Sequence, residues 1–299
     1  MLPRTGERSQ RHTILYVSFG NSFGLASAQP PTQGLSGAPK APQFYLFTLK
    51  NGHMMKWYQK RDFSIKVPLS FQMKLGKLQQ RDASASTLFQ EMWDECEDIA
   101  KAVLETDYFK GILNNNLDPN AYGSLMVQDA YYCFKAQNSY TIARTHAYDS
   151  DCSEFLAGKE QSYKDYNETY HKIWHIREDY GVIPGPEIKE YADYEAYVAS
   201  QLDTPYLFAV MLPCEYLWNW VANQLAPKAS KDGLYYFWID GNAGSPTGAL
   251  QMESMLELYR ADIDENKAKE IFRTAMEFEL KVFTSATILN LSYYGKKEI

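Results

Sequence analysis

Residues 203–226 read DTPYLFAVMLPCEYLWNWVANQLA, an apolar run with the character of a helix opened by a cap-then-proline pair, Thr204-Pro205. Within it, Pro213 directly precedes Cys214. Proline lacks an N–H, so the carbonyl of Ala209 loses its helical partner and the ring presses on that turn. The freed carbonyl needs another donor, which draws polar groups to the neighbourhood. Cys214 therefore has two readings. It is a small buried residue in a kinked core helix, or a thiol tilted out of the packed face.

The segments on either side are helical too. SASTLFQEMWDECEDIAKAVLETDYF, 84–109, places Leu88, Met92, Cys96, Ile99 and Val103 on one face at three-to-four spacing. DPNAYGSLMVQDAYYCFKAQNSYTIARTHA, 118–147, opens with Asp118 as a cap and Pro119 at the first helical position. KEQSYKDYNETYHKIWHIREDYG, 159–181, ends on Gly181, a stop signal. Shorter helical patterns follow at 186–202 and 246–261, and a long one spans 264–295. About seven helices, few strands and no internal repeat define an all-α domain over 84–299. Residues 1–45 are dense in Gly, Pro, Ser and Gln and read as a disordered or processed segment. Residues 46–83 form an extension whose one local signal is Asn51-Gly52 between two semi-apolar runs, a hairpin pattern.

Composition narrows the function classes. The net charge is −7 and no Lys/Arg-rich run occurs after the first dozen residues, which argues against nucleic acid or an anionic membrane surface as the main partner. No run of 18 apolar residues marks a transmembrane helix. Basic residues before TILYVSFGNSFGLASA give the outline of a signal peptide ending before Gln29. Ser, Gly and Asn dilute its apolar part, so a cytoplasmic protein is expected, with secretion as the alternative. Two sequons, at Asn167 and Asn290, matter only if the chain is secreted. The four cysteines, 96, 133, 152 and 214, contain no C-x-x-C pair, against a zinc ribbon or a disulfide scaffold.

Carboxylates inside apolar helices carry the chemical signal. Asp129 lies in MVQDAYYCF, where an unpaired charge would be costly, and Tyr132 shares its face three residues on. In AMEFELKVF, Glu277 and Glu279 point about 200° apart around a helix, so at most one faces inward. Phe283, four residues on, places Glu279 on the more apolar side. An inward Asp, Glu and Cys on three long helices is a set that builds a pocket in a bundle core.

Four segments in order, FKGILNNNLDPNAYGSLMVQDAYYCF, YADYEAYV, MLPCEYLWNWVANQL and AMEFELKVF, resemble the successive signatures of the TenA/thiaminase II family, from about residue 85 to the C-terminal end. The resemblance implies an all-α, haem-oxygenase-like helical bundle. It also implies an aminopyrimidine site, cleavage of the bond between the pyrimidine methylene and its leaving group, no cofactor, and a homo-oligomer. Carried over position by position, Cys214 matches the nucleophile, Asp129 the residue holding the aminopyrimidine edge, and Glu279 the proton-moving glutamate. Tyr132 matches a lining aromatic. A further tyrosine maps onto Tyr194, with Tyr191 as the alternative. One family tyrosine falls on Asn242, in FWIDGNAG, so the substrate contact there differs.

A small-molecule substrate with water as acceptor is the leading expectation. A transferase with an amine or thiol acceptor is the alternative. A di-iron oxidase using Glu168, His171 and His175 is a further one, set against the lack of any histidine after 175. A non-catalytic binding protein is the last.

Overall fold

The computed structural model describes residues 61–67, 72–74 and 86–292, with side chains to 288. The leader-like stretch, segment 1–45 and the Asn51-Gly52 hairpin pattern lie outside the described residues. Those described all fall in one compact unit, Phe44–Ile299.

The helix that holds Cys214 is central among the described helices. Helix α7 (Pro205–Leu225) buries every residue except Tyr216, Trp220, Asn223 and Gln224, as a helix apolar all round must. It runs through Pro213 without ending. Around it stand α1 (Leu88–Glu95), α2 (Glu97–Leu104), α3 (Asp107–Leu113), α4 (Pro119–Arg144), α5 (Ser150–Trp174), α6 (Pro186–Gln201), α8 (Tyr236–Asn242), α9 (Thr247–Leu258) and α10 (Glu265–Ser292). The 10 helices and two 3-10 turns, with no strand among the described residues, form the all-α bundle that the sequence implies. Helix α7 packs on α6, α8, α9 and α10, and α4 packs on α5, α6 and α10, so α4, α6, α7 and α10 enclose one interior.

Local departures have local causes. The apolar stripe Leu88–Val103 is buried as its period demands, but the helix breaks at Cys96 (φ −114°, ψ 10°). Glu97 and Asp98 then open α2, where acids favour a helix start. Helix α5 stops at Trp174 rather than Gly181. His175 takes the left-handed cap (φ 56°), and its N–H donates to the His171 carbonyl at 3.1 Å. Gly181 closes the following 3-10 turn. Asp118 caps α4 as its position suggests. Thr204 does not cap α7; its backbone is already helical and its hydroxyl donates to the His146 carbonyl at 3.0 Å.

Residues 61–67 form no regular element, yet they run into the helices as a strap. Phe63 is buried and stacks on Tyr163, with ring centroids 3.9 Å apart and planes 5° from parallel. Lys159 Nζ donates to the Phe63 carbonyl at 3.0 Å. Gln251 grips the Ile65 peptide on both sides, accepting from its N–H at 2.9 Å and donating to its carbonyl at 2.8 Å.

Candidate active site

Five helices bring polar side chains to the interior, and the strap supplies a sixth contributor. Asp129, Tyr132 and Cys133 come from α4, Tyr170 from α5, Tyr191 and Glu195 from α6, Cys214 and Trp218 from α7, and Glu279 from α10. The side chain of Arg61 lies between them. Its Nη1 donates to both Asp129 oxygens, at 3.0 and 2.8 Å, and its Nη2 donates to Cys214 Sγ at 2.8 Å. The guanidinium carbon sits 4.0 Å from the Trp218 ring centroid, a cation–π contact. The Tyr170 hydroxyl also donates to Asp129, and the Trp218 indole N–H donates to Glu279 at 3.3 Å.

Burial sets the protonation states. Burial raises the Glu279 carboxyl to about 7, against the opposing pull of the Arg61 charge, so it exchanges protons near neutral pH. Burial likewise pushes the Cys214 thiol up, only partly offset by Arg61. Burial drives the Glu195 carboxyl well above the ordinary carboxylate range, which favours its protonated form. One of its oxygens accepts from the Tyr132 hydroxyl; the other has no hydrogen-bond partner among the described residues.

A second polar cluster lies beneath the strap. Lys159 and Glu215 are paired at 2.5 Å with both side chains out of solvent. Glu215 also accepts from Tyr140 at 3.2 Å and Tyr163 at 3.3 Å. Fully partnered in this way, the pair holds Phe63 in place.

Of the residues singled out from sequence, the structure places Asp129 and Cys214 on the same guanidinium and Glu279 on the Trp218 ring that underlies it. Tyr132 packs on Tyr191 with centroids 4.9 Å apart. Tyr191 is 1% exposed and stacks on Phe278, whereas Tyr194 is half-buried at the rim, against Phe278 and Tyr197. Tyr191 is therefore the α6 tyrosine that faces the interior. Asn242 is buried one ring behind the cluster. Its amide donates to the Trp238 carbonyl at 2.8 Å, and Trp238 packs on Trp218. Glu277 faces solvent and reaches Arg273 at 3.5 Å.

Sequence reasoning missed Arg61, Trp218 and Glu195. Glu195 carried the signal that found Asp129, a carboxylate within an aromatic stretch. Arg61 carried none. Glu168 and His171 lie 4.0 Å apart on the outer side of α5, where His171 accepts from Arg177 at 2.9 Å, and His175 is exposed. Among the described residues no group of three or more His, Cys, Asp or Glu side chains is gathered as for a metal ion. Asn167, the first sequon, is buried and donates to Gln137 at 2.9 Å, so a glycan there is incompatible with the fold. No described helix is long and apolar enough to cross a membrane.

No protein-family model matches the chain. Nor does any curated protein sequence. Solved structures do. A TenA family transcription regulator from Silicibacter sp. TM1040 superposes with a TM-score of 0.61 at 17% identity, over 68% of this chain and 97% of that one. A TenA homologue from Pyrococcus furiosus gives 0.59 at 17%, over 67% and 99%. A TenA-like thiaminase candidate from Sulfolobus solfataricus P2 gives 0.53 at 13%, over 66% and 94%. The helical body of this chain has the TenA fold.

Proposed function

We propose that the protein is a thiaminase-like enzyme. It cleaves the bond between the pyrimidine methylene and the leaving group of thiamin or a related aminopyrimidine, with water as acceptor. One observation carries this reading: Asp129, Cys214 and the Trp218 face surround a single flat group whose adjacent nitrogens present N–H donors. An aminopyrimidine shares the flat face and offers its exocyclic amine as the N–H donor to Asp129, while its neighbouring ring nitrogen accepts a hydrogen bond until it is protonated. The TenA fold, and the thiaminase candidate among its members, support the reading.

The residues divide the work. Asp129 accepts from the exocyclic amine and fixes the ring, and Trp218 and Tyr132 form its walls. Cys214, as thiolate, adds to an electron-poor ring carbon while Glu279 delivers its proton to a ring nitrogen. The electron pair returns from that nitrogen and expels the leaving group from the methylene. Water then adds at the methylene and its spare proton passes to Glu279; the sulfur departs from the ring as thiolate, and the proton left on the ring nitrogen is released to solvent with the product. The net change is hydrolysis: Glu279 and the Cys214 thiolate are restored, and one proton is released for each cationic substrate cleaved. This cycle runs on protein side chains alone.

Purified protein incubated with thiamin should release a hydroxymethylpyrimidine, and Cys214→Ser should not. Added aniline leaves that product unchanged if water is the acceptor, and diverts it to an anilino adduct if the enzyme is a transferase. Absence of any pyrimidine product from both the wild type and Arg61→Ala would overturn the reading.

A further inference from the structure

The strap does more than cover the site. Its arginine fills the space between Asp129, Cys214 and Trp218, so no ring can touch all three while Arg61 is there. The path is fitted to it. A Cβ on Gly248 would fall 2.8 Å from the Phe63 backbone, and one on Gly158 would fall 2.9 Å from Ile65. Gln251 and Lys159 hold the backbone of the strap from outside the cluster. Arg61 is nonetheless an imperfect occupant, since its Nε is buried with no hydrogen-bond partner among the described residues.

We propose that residues 61–67 are a tethered internal competitor: Arg61 occupies the subsite for a planar N–C–N edge whose outer nitrogen donates to Asp129, and substrate binds only when the strap withdraws. This rests on reading the Asp129–Cys214 cluster as the substrate site. The guanidinium offers what the exocyclic amine and ring of an aminopyrimidine would offer there: one nitrogen donating to the carboxylate, a flat face on Trp218, and a neighbouring atom against the thiol. The state of the thiol fits a closed site, because Cys214 is 0% exposed and its burial disfavours the thiolate that attack requires. If Arg61 were instead a fixed member of the site that activates the thiol, its removal would slow every reaction of Cys214. The two roles predict opposite signs.

The test measures alkylation of Cys214 by iodoacetamide, located by peptide mass spectrometry, in the wild type, Arg61→Ala and Gln251→Ala. Gln251 lies outside the cluster, so its variant loosens the strap and leaves the site intact. Helicity and thermal unfolding check that each variant is folded. Both variants should alkylate at least tenfold faster than the wild type. In both, 4-amino-2-methylpyrimidine should slow alkylation at concentrations that do nothing to the wild type. Rates equal to or below wild type in folded variants would overturn the proposal, and Gln251→Ala decides alone if Arg61→Ala fails to fold. Faster alkylation without protection by the pyrimidine supports the internal competitor and removes the aminopyrimidine reading, so the two failures are distinguishable.

Discussion

Arg61 Nη2 lies 2.8 Å from Cys214 Sγ across 153 positions of sequence, and the same guanidinium holds Asp129. The thiol proposed as nucleophile therefore rests under a cation from a segment that precedes the helical body. Variants around this contact separate packing from chemistry.

Cys214→Ala tests the two readings of the cysteine directly. A small residue replaces a small residue in a closed interior, so stability should change by no more than about 1–2 kcal/mol. Pyrimidine release should nevertheless fall to background. Urea unfolding and product chromatography on the same preparation check both halves.

Glu279 gives a pH signature. Its folded carboxyl is raised to about 7, above the value of an unfolded glutamate, so between about 4.5 and 7 the native state holds more protons than the unfolded one. Its contribution to stability is then lost as pH rises through that window, and it levels off above. Glu279→Gln should remove that slope, with a difference of up to about 3 kcal/mol between pH 5 and pH 8. Glu195 and Glu215 are raised by burial too, so the wild-type curve keeps falling for their sake and the comparison must be wild type minus variant.

Lys159→Met breaks a buried ion pair from one side. It leaves Glu215 without its cation and should destabilise by about 3–5 kcal/mol in urea unfolding. The double variant Lys159→Met/Glu215→Leu should recover part of that loss, because two uncharged groups then face each other. A double variant less stable than the single one would show that the tyrosine hydroxyls depend on Glu215 more than the lysine does.

Two glycines under the strap should behave differently. Gly248→Ala meets backbone at 2.8 Å and Glu215 Oε2 at 3.0 Å, neither of which can yield easily, so it should cost about 1–3 kcal/mol and lift the strap. Gly158→Ala meets Ile65 at its Cδ1 end (2.9 Å) and its Cβ (3.3 Å); the end can turn, so the cost should be smaller than for Gly248→Ala. Thermal melts of both variants, with Cys214 alkylation alongside, make the comparison.

Much of the bundle was legible because its signals are local and periodic. The apolar run of α7, the cap-proline start of α4 and the inward side of Glu279 each follow from residues within one or two turns. Helix ends were harder. The break at Cys96 and the left-handed His175 leave the apolar period undisturbed, so periodicity could not reveal them. Asp129 stood out as a charge among aromatics. Arg61 could not, since WYQKRDFS looks like any solvated basic stretch, and its partners Asp129 and Cys214 lie 68 and 153 positions away. The choice between Tyr191 and Tyr194 needed the rotation of α6 about its axis, which a single turn of sequence does not set.

The grip of Gln251 on the Ile65 peptide shows what kind of object the strap is. A carboxamide that pairs with a peptide N–H and carbonyl recognises backbone, whatever side chain is attached. Arg61, Phe63 and Ile65 turn toward the protein while Asp62 and Lys66 are exposed, the alternation of an extended chain. The strap thus has the grammar of a short peptide ligand, with the spacing Arg-x-Phe-x-Ile, joined covalently to its own receptor. A ligand tethered to its receptor is present at an effective concentration of order millimolar, about the level at which individually weak contacts hold. Modest affinity is then enough to keep the thiol covered, and equally little is needed to let it go.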